Sequence, residues 1–189
     1  TRLDKNQFGS TKKRSTAHAL IRFSHDLFLA SDEPGNIIRV LFVDFAKAFD
    51  LIDHNILMRT FIDNDFPLHL SCWSLSFLED RKQFVKVANG VSSTAKICCG
   101  CPQGTLSGPN NFKLMINDLR FLLSYIKYVD DTSVASMSKN PDDTSLQGAL
   151  NDLTAWCALN SMRLNTAKTN EVVIYFGKKY DLSHIKSLE

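Results

Sequence analysis

The sequence predicts an α+β fold, an antiparallel sheet with helices packed on one face. Three observations predict it. The run Ile37-Ile38-Arg39-Val40-Leu41-Phe42-Val43 is apolar on both faces, as a central buried strand requires. Stretches of period two alternate with stretches of period 3.6. Their order is helix, then β-α-β-β-α-β-β-α-β.

Each element has a local reason. Ser15-Thr16 can cap a helix whose apolar stripe is Ala17, Leu20, Ile21, Leu27 and Phe28. Asp32-Glu33-Pro34-Gly35-Asn36 is a turn cluster, and residues 37–45 form the central strand. Asp53 can cap a helix near 54–64 carrying Ile56, Leu57, Thr60 and Phe61. Residues 82–87 alternate as a half-exposed strand, Asn89-Gly90 marks a hairpin turn, and residues 95–99 supply the partner strand. The loop Pro102 to Pro109 feeds a helix near 110–123. Residues 125–128 and 132–136 are short strands around Asp130-Asp131. Asp142-Asp143-Thr144 caps a helix carrying Leu146, Ala149, Leu150, Leu153, Trp156 and Cys157, and residues 171–176 are a last strand.

Composition sets the bounds. The 189 residues suit one domain, or one domain plus fragments, and 44% hydrophobic against 22% charged residues implies a packed core. Thirteen Phe make that core aromatic, and eight Gly with five Pro are too few for a linker protein. Net charge is only +2, so the whole chain does not announce a polyanion partner. Its distribution says more: residues 1–22 hold six basic residues against one acid, and residues 81–96 hold four against none. Either patch suits a phosphate backbone, or equally a solvated loop face. Five Cys, an odd number, with no leader segment, point to reduced intracellular thiols. Cys98-Cys99-Gly100-Cys101 lacks the second spaced pair of a zinc site. No apolar stretch of roughly 18 residues suggests a membrane span. The start at Thr1 reads as an excerpt of a longer polypeptide.

The chemistry concentrates in acids far apart along the chain. Asp44 ends the central strand, and Asp130-Asp131 lies between two short strands. Carboxylates at the tips of buried strands are costly to desolvate and need a compensating partner. A shared divalent cation is one such partner. Two-metal phosphoryl transfer uses cations ~3.5–4 Å apart, and hard Mg²⁺ takes carboxylate and phosphate oxygens. Adjacent strand residues point to opposite faces, so Asp130 is the firmer ligand and Asp131 the softer. By spacing alone a plain hairpin turn at Asp130-Asp131 with a helix-entry Asp44 fits as well, and Asp is a common turn former. Asp50 and Asp53 read as caps and His54 as a structural hydrogen-bonder. No Ser or Cys stands in a nucleophile elbow, and the stretch Gly100 to Gly108 lacks a P-loop ending.

Taken together, these residues resemble a known family. Phe42-Val43-Asp44-Phe45-Ala46-Lys47-Ala48-Phe49-Asp50, then Asp53-His54, resembles motif A of the reverse transcriptases of non-LTR retrotransposons, the jockey-like group especially. Pro102-Gln103-Gly104-Thr105 through Ile116-Asn117-Asp118-Leu119 resembles motif B. Tyr128-Val129-Asp130-Asp131-Thr132 resembles motif C, and Leu164-Asn165-Thr166-Ala167-Lys168-Thr169 resembles motif D. Gln7-Phe8-Gly9 through Arg14-Ser15-Thr16 is similar to the fingers segment just upstream. The resemblance runs from about residue 7 to residue 177 in the family's order.

The resemblance implies a right-hand polymerase palm with a ferredoxin/RRM-like core: residues 1–36 as partial fingers, 37–177 as palm, and 178–189 as the start of a segment leading to a thumb. It implies an RNA-directed DNA polymerase that extends a DNA primer on an RNA template with deoxynucleoside triphosphates, in the nucleus and cytoplasm, with no membrane. Asp44, Asp130 and Asp131 would hold two Mg²⁺ ions, with Mn²⁺ as a substitute. Phe49 would exclude a ribose 2′-hydroxyl, and Phe45, Gln103 and Gly104 would meet nucleotide and template. Lys168 would stand near the triphosphate and protonate the pyrophosphate, and Arg14 would contact nucleotide phosphates. A thumb and an endonuclease domain would complete the polypeptide.

The chain also departs from the pattern. Ser10-Thr11-Lys12-Lys13 replaces the usual Phe-Arg-Pro-Gly, Cys101 replaces a Val, and Ser107, Asn110 and Asn111 stand where leucines are usual. Polar side chains buried unpaired there would loosen the helix by roughly 1–3 kcal/mol each. These departures motivate an alternative, an inactive or co-opted copy that only binds RNA or a partner. An intron-encoded or viral palm fits less well, given Asp53-His54, Phe49 and Val129.

Overall fold

The computed structural model describes residues 3–177 and 185–188. Helix α1 (Thr16–Ser31) starts where Ser15 Oγ accepts from the His18 N–H, and strand β1 (Ile37–Val43) follows. Helix α2 (His54–Asp63) is capped by Asp53, whose carboxylate accepts from the N–H groups of Asn55 and Ile56. Then come helix α3 (Leu68–Ser76), four two-residue strands β2 (Lys82–Gln83), β3 (Lys86–Val87), β4 (Gly90–Val91) and β5 (Ala95–Lys96), and helix α4 (Ser107–Met115). Strands β6 (Ser124–Tyr128) and β7 (Asp131–Ser138), helix α5 (Ser145–Leu159) and strand β8 (Asn170–Ile174) complete the described elements.

Strands β6, β7, β1 and β8 form one sheet in that order, every neighbour antiparallel. Chain order β1, β6, β7, β8 thus gives the 4-1-3-2 arrangement of a ferredoxin-like core. The central strand is buried because both its faces are covered. Leu41, Val43 and Phe45 meet Leu57 and Phe61 of α2, Phe112 and Met115 of α4, and Leu146 and Leu153 of α5. Leu146 and Leu153 have no exposed surface, and burying such a side chain contributes roughly 1.5–3 kcal/mol. On the opposite face Ile38, Val40 and Ala135 meet Phe23 and Ala30 of α1. The helices of residues 37–177 therefore gather on one face, and α1 from the N-terminal segment covers part of the other. No helix among the described residues is long and apolar enough to cross a membrane.

The structure differs from the sequence reading in several places. In α1 the expected stripe is mostly exposed, with Leu20, Ile21 and Phe28 at 65%, 68% and 65%, and the helix buries Ala19, Phe23 and Ala30 instead. Helix α3 gave no signal: Ser71 is its only buried residue, and no side chain caps its start at Pro67. Helix α4 begins and ends earlier than 110–123, because Ile116 to Leu119 leave the helix in turns whose carbonyls Lys127 collects. Residues 82–87 do not make one strand. Every residue of β2 to β5 is exposed, so no buried face enforces a long ladder. The hairpin turn there is Ala88-Asn89, one residue before the expected pair, and Ala88 takes φ +49. Of the segment 178–189 expected to lead onward, residues 178–184 and 189 lie outside the described residues.

Candidate active site

Strand register brings the distant acids together. Val43 pairs with Thr132 across β1 and β7, so one further step along the ladder sets Asp44 opposite Asp131. Tyr128 pairs with Asp131 across β6 and β7, which leaves Val129-Asp130 as the two-residue link at the hairpin tip. Asp44 and Asp130 both line a surface cavity of about 530 Å³, together with Phe49, Gln103, Asn165 and Lys168.

The backbone around Asp44 is fixed from the loop after α5. The Asp44 N–H donates to Thr169 Oγ1 at 3.2 Å, and its carbonyl accepts from the Asn165 N–H at 2.8 Å. Beyond it, the Ala46 N–H donates to the Arg163 carbonyl at 2.8 Å. The loop that presents Lys168 thus also grips the strand end that presents Asp44. The sequence names Asn165 and Thr169 only as members of the motif D stretch, because a hydroxyl and an amide in a loop announce no partner.

Several expected site residues lie on or near this cavity. Phe49 stands on the cavity wall with its ring 5.2 Å from that of Phe112. Gln103 is exposed and donates to Asp50 Oδ1 at 3.3 Å, so Asp50 holds Gln103 rather than capping a helix. Gly104 has φ +77, which favours glycine, and a Cβ there would meet no protein atom within 4 Å. His54 Nε2 lies 2.9 Å from the Gly100 carbonyl, a structural bond as expected.

Two other expected residues are held by contacts within the protein. Phe45 is only 5% exposed, and its ring packs on Phe112 and Trp156. Phe45 nonetheless lines the cavity beside Asp44, with little of its surface exposed. Arg14 is not on the cavity wall: its guanidinium donates to the Lys5 and Gln7 carbonyls and lies over the Phe8 ring. The polar departures near α4 are mostly satisfied. Ser107 Oγ meets Thr105 Oγ1 at 3.1 Å, and Asn110 donates to the Leu106 carbonyl at 2.9 Å. Asn111 is buried with the Cys101 sulfur, a weak acceptor, 3.6 Å away.

The electrostatics suit a cation. Asp131 has its pKa raised by burial first, then by the charges of Asp130 and Asp44. Three carboxylates therefore share one field. Among the described residues no three His, Cys, Asp or Glu side chains close into a ready-made metal cage. Mg²⁺ is usually held by one or two carboxylates plus water and substrate phosphates. The donor set is all hard oxygen, so the residues present match such an ion.

The reverse transcriptase (RNA-dependent DNA polymerase) family profile matches residues 1–184. The chain belongs to that family. It is 28% identical over 179 residues to a probable RNA-directed DNA polymerase from transposon BS of Drosophila melanogaster, covering 88% of this chain and 20% of that protein. It is 28% identical over 182 residues to the RNA-directed DNA polymerase from mobile element jockey of the same species, covering 90% and 20%. The chain is similar to these jockey-type sequences and spans about a fifth of their length. Its fold is similar to a Candida tropicalis telomerase solved with a telomeric RNA fragment, with TM-score 0.64 and 14% identity over 84% of this chain and 29% of that one. A Candida albicans telomerase gives TM-score 0.58 at 12% identity, over 93% and 32%. Those likenesses establish the polymerase palm. Reverse transcriptases use divalent metal ions, in keeping with the acids described.

Proposed function

We propose that residues 37–177 are the palm, and residues 1–36 part of the fingers, of an RNA-directed DNA polymerase from a jockey-like non-LTR element. It would work in the nucleus and cytoplasm, extending a DNA 3′-hydroxyl on an RNA template with deoxynucleoside triphosphates. The thumb, with residues 178–189 leading to it, and an endonuclease would lie elsewhere in the polypeptide. One observation carries the reading: Asp44 and Asp130, from different strands, line one cavity with Phe49, Gln103 and Lys168.

Asp44 and Asp130, with Asp131 supporting, would hold two Mg²⁺ or Mn²⁺ ions, which lower the charge barrier to attack and departure at phosphorus. The remaining groups position the substrate. Phe49, whose ring packs on Phe112, would exclude a ribose 2′-hydroxyl. Gln103, braced on Asp50, and the open backbone at Gly104 receive template and nucleotide. Lys168 stands on the wall with Asp44 and delivers a proton to the departing pyrophosphate.

The test places this segment in the full polypeptide of an active relative and follows primer extension on RNA. Asp44→Ala and Asp130→Ala each abolish extension, and unchanged extension refutes the ligand assignment. Phe49→Ala admits ribonucleotides, and no gain in their use removes its gating role.

A further inference from the structure

We propose that Gln7 is a positioning residue for the acidic site: its carboxamide holds Val129 in a left-handed conformation, and that conformation aims Asp130 into the cavity that Asp44 also lines. The proposal deepens the polymerase reading of this site and rests on it.

Val129 has φ +59. Eight non-glycine residues take positive φ among the described residues, and Val129 is the one β-branched member. A side chain branched at Cβ is the least suited to that region, so something must hold it there. Gln7 does. It is 3% exposed, and its Oε1 accepts from the Val129 N–H at 3.0 Å while Nε2 reaches the Val129 carbonyl at 3.5 Å. The same Oε1 accepts from the Gly9 N–H at 2.9 Å, which locks the carboxamide's own orientation. One side chain thus grips both polar backbone groups of the residue immediately before Asp130.

The surrounding chain is shaped to deliver this grip. Residues 6–8 run along the free edge of β6: the Lys127 N–H donates to the Asn6 carbonyl at 2.9 Å, and the Phe8 N–H donates to the Lys127 carbonyl at 2.8 Å. A Cβ at Gly9 would lie 2.4 Å from the Val129 nitrogen and 2.5 Å from its Cγ2, so only glycine lets the strap pass this close. The Gln7-Phe8-Gly9 triplet, legible in the sequence only as a family resemblance, acquires a physical task at the tip of the hairpin 122 residues away.

The test measures Mn²⁺ binding to this chain by titration calorimetry. Gln7→Met is expected to weaken binding about tenfold, the usual effect of losing an outer support of a ligand. Glycine adopts positive φ without help, so in the Val129→Gly background Gln7→Met is expected to change affinity by less than about twofold. In parallel, a scalar coupling across the hydrogen bond between the Val129 nitrogen and the Gln7 carboxamide carbon is expected by NMR. An affinity unaltered by Gln7→Met, or an equal loss in both backgrounds, overturns the clamp. If Gln7→Met alone does not fold, the Val129→Gly pair decides: equal affinities support the clamp, and a tenfold loss overturns it. Binding that survives Asp44→Asn combined with Asp130→Asn sinks the metal reading of the acids and the proposal with it. Acid-dependent binding that ignores Gln7 sinks the clamp alone.

Discussion

Lys127→Met is expected to be among the most destabilising substitutions available in this chain. The Lys127 side chain is 0% exposed, and its ammonium lies 2.8 Å from Asp4 Oδ2, whose own side chain is 4% exposed. It also donates to the carbonyls of Ile116 and Leu119, both at 2.7 Å. Burial alone pushes the Asp4 carboxyl up. Lys127, the Asn6 N–H and the Tyr125 hydroxyl more than offset that, leaving it below the ordinary value of 3.8. Removing one partner of a buried pair costs roughly 3–5 kcal/mol because the other charge is left uncompensated. In a chain of this size, where each kcal/mol moves Tm by about 2–4 °C, that is a fall of roughly 6–20 °C. Asp4→Asn on top of Lys127→Met removes the stranded charge, so the double variant is expected to be less destabilised than the sum of the singles by about 1–3 kcal/mol. The acid limb changes too. A depressed carboxyl contributes stability above pH 3.8 that is lost as pH falls through its folded value. Without Lys127 that loss sets in at higher pH. Urea titrations of the four proteins, repeated from pH 3 to 7, supply the numbers. A cost for Lys127→Met below about 1 kcal/mol, or singles that simply add, would refute the argument that this ion pair is paired out of necessity.

Three further outcomes are expected. Tyr125, buried beside Asp4, has its pKa raised by burial first and then by the Asp4 charge, from 10.0 to about 12. Its contribution, on the order of 3 kcal/mol, is complete below pH 10 and drains away as pH climbs toward 12; Tyr125→Phe should flatten that alkaline loss in urea midpoints. Asn111→Leu replaces a buried amide facing a weak sulfur acceptor, and should raise stability by about 1–2 kcal/mol; a lower Tm would show the amide to be better satisfied than its contacts indicate. Thr169→Val removes the hydroxyl that accepts from the Asp44 N–H, and should cost about 1–2 kcal/mol and slow primer extension at unchanged nucleotide KM; a KM effect alone would place Thr169 with the nucleotide instead of with Asp44.

What the sequence disclosed, and what it withheld, follows from the range of the forces involved. Helices α1 and α2 were legible because Ser15 and Asp53 cap them within three residues. Strand β1 was legible because both its faces are apolar. The acids stood out at strand ends, but only the family resemblance separated them from ordinary turn residues. Helix α3 was not, since its apolar residues face outward: Leu68, Leu70 and Trp73 are all exposed. The burial of Phe45 was not legible, because a motif is read as a string, whereas alternation sends neighbours in a strand to opposite faces. The Gln7–Val129, Asp4–Lys127 and Thr169–Asp44 contacts span 122, 123 and 125 positions, and none leaves a local trace.

Those three contacts share an arrangement that bears on the boundary proposed at residue 36. Residues 4–9 are joined to β6 by backbone bonds and a buried ion pair, and through Gln7 they reach the residue before Asp130. Residues 163–169 are joined to the end of β1 by backbone bonds and reach Asp44 through the Thr169 hydroxyl. Each acid that lines the cavity therefore sits on its own strand end, braced by a segment from far away in the chain. Strand ends fray and turns are compliant, so without the braces the two carboxylates would wander independently. With them, any displacement of one acid must break hydrogen bonds to a segment anchored in the core. The N-terminal stretch is by this argument part of the palm's mechanical frame, and removing residues 1–9 should loosen Asp130 as surely as cutting the loop at Thr169 would loosen Asp44.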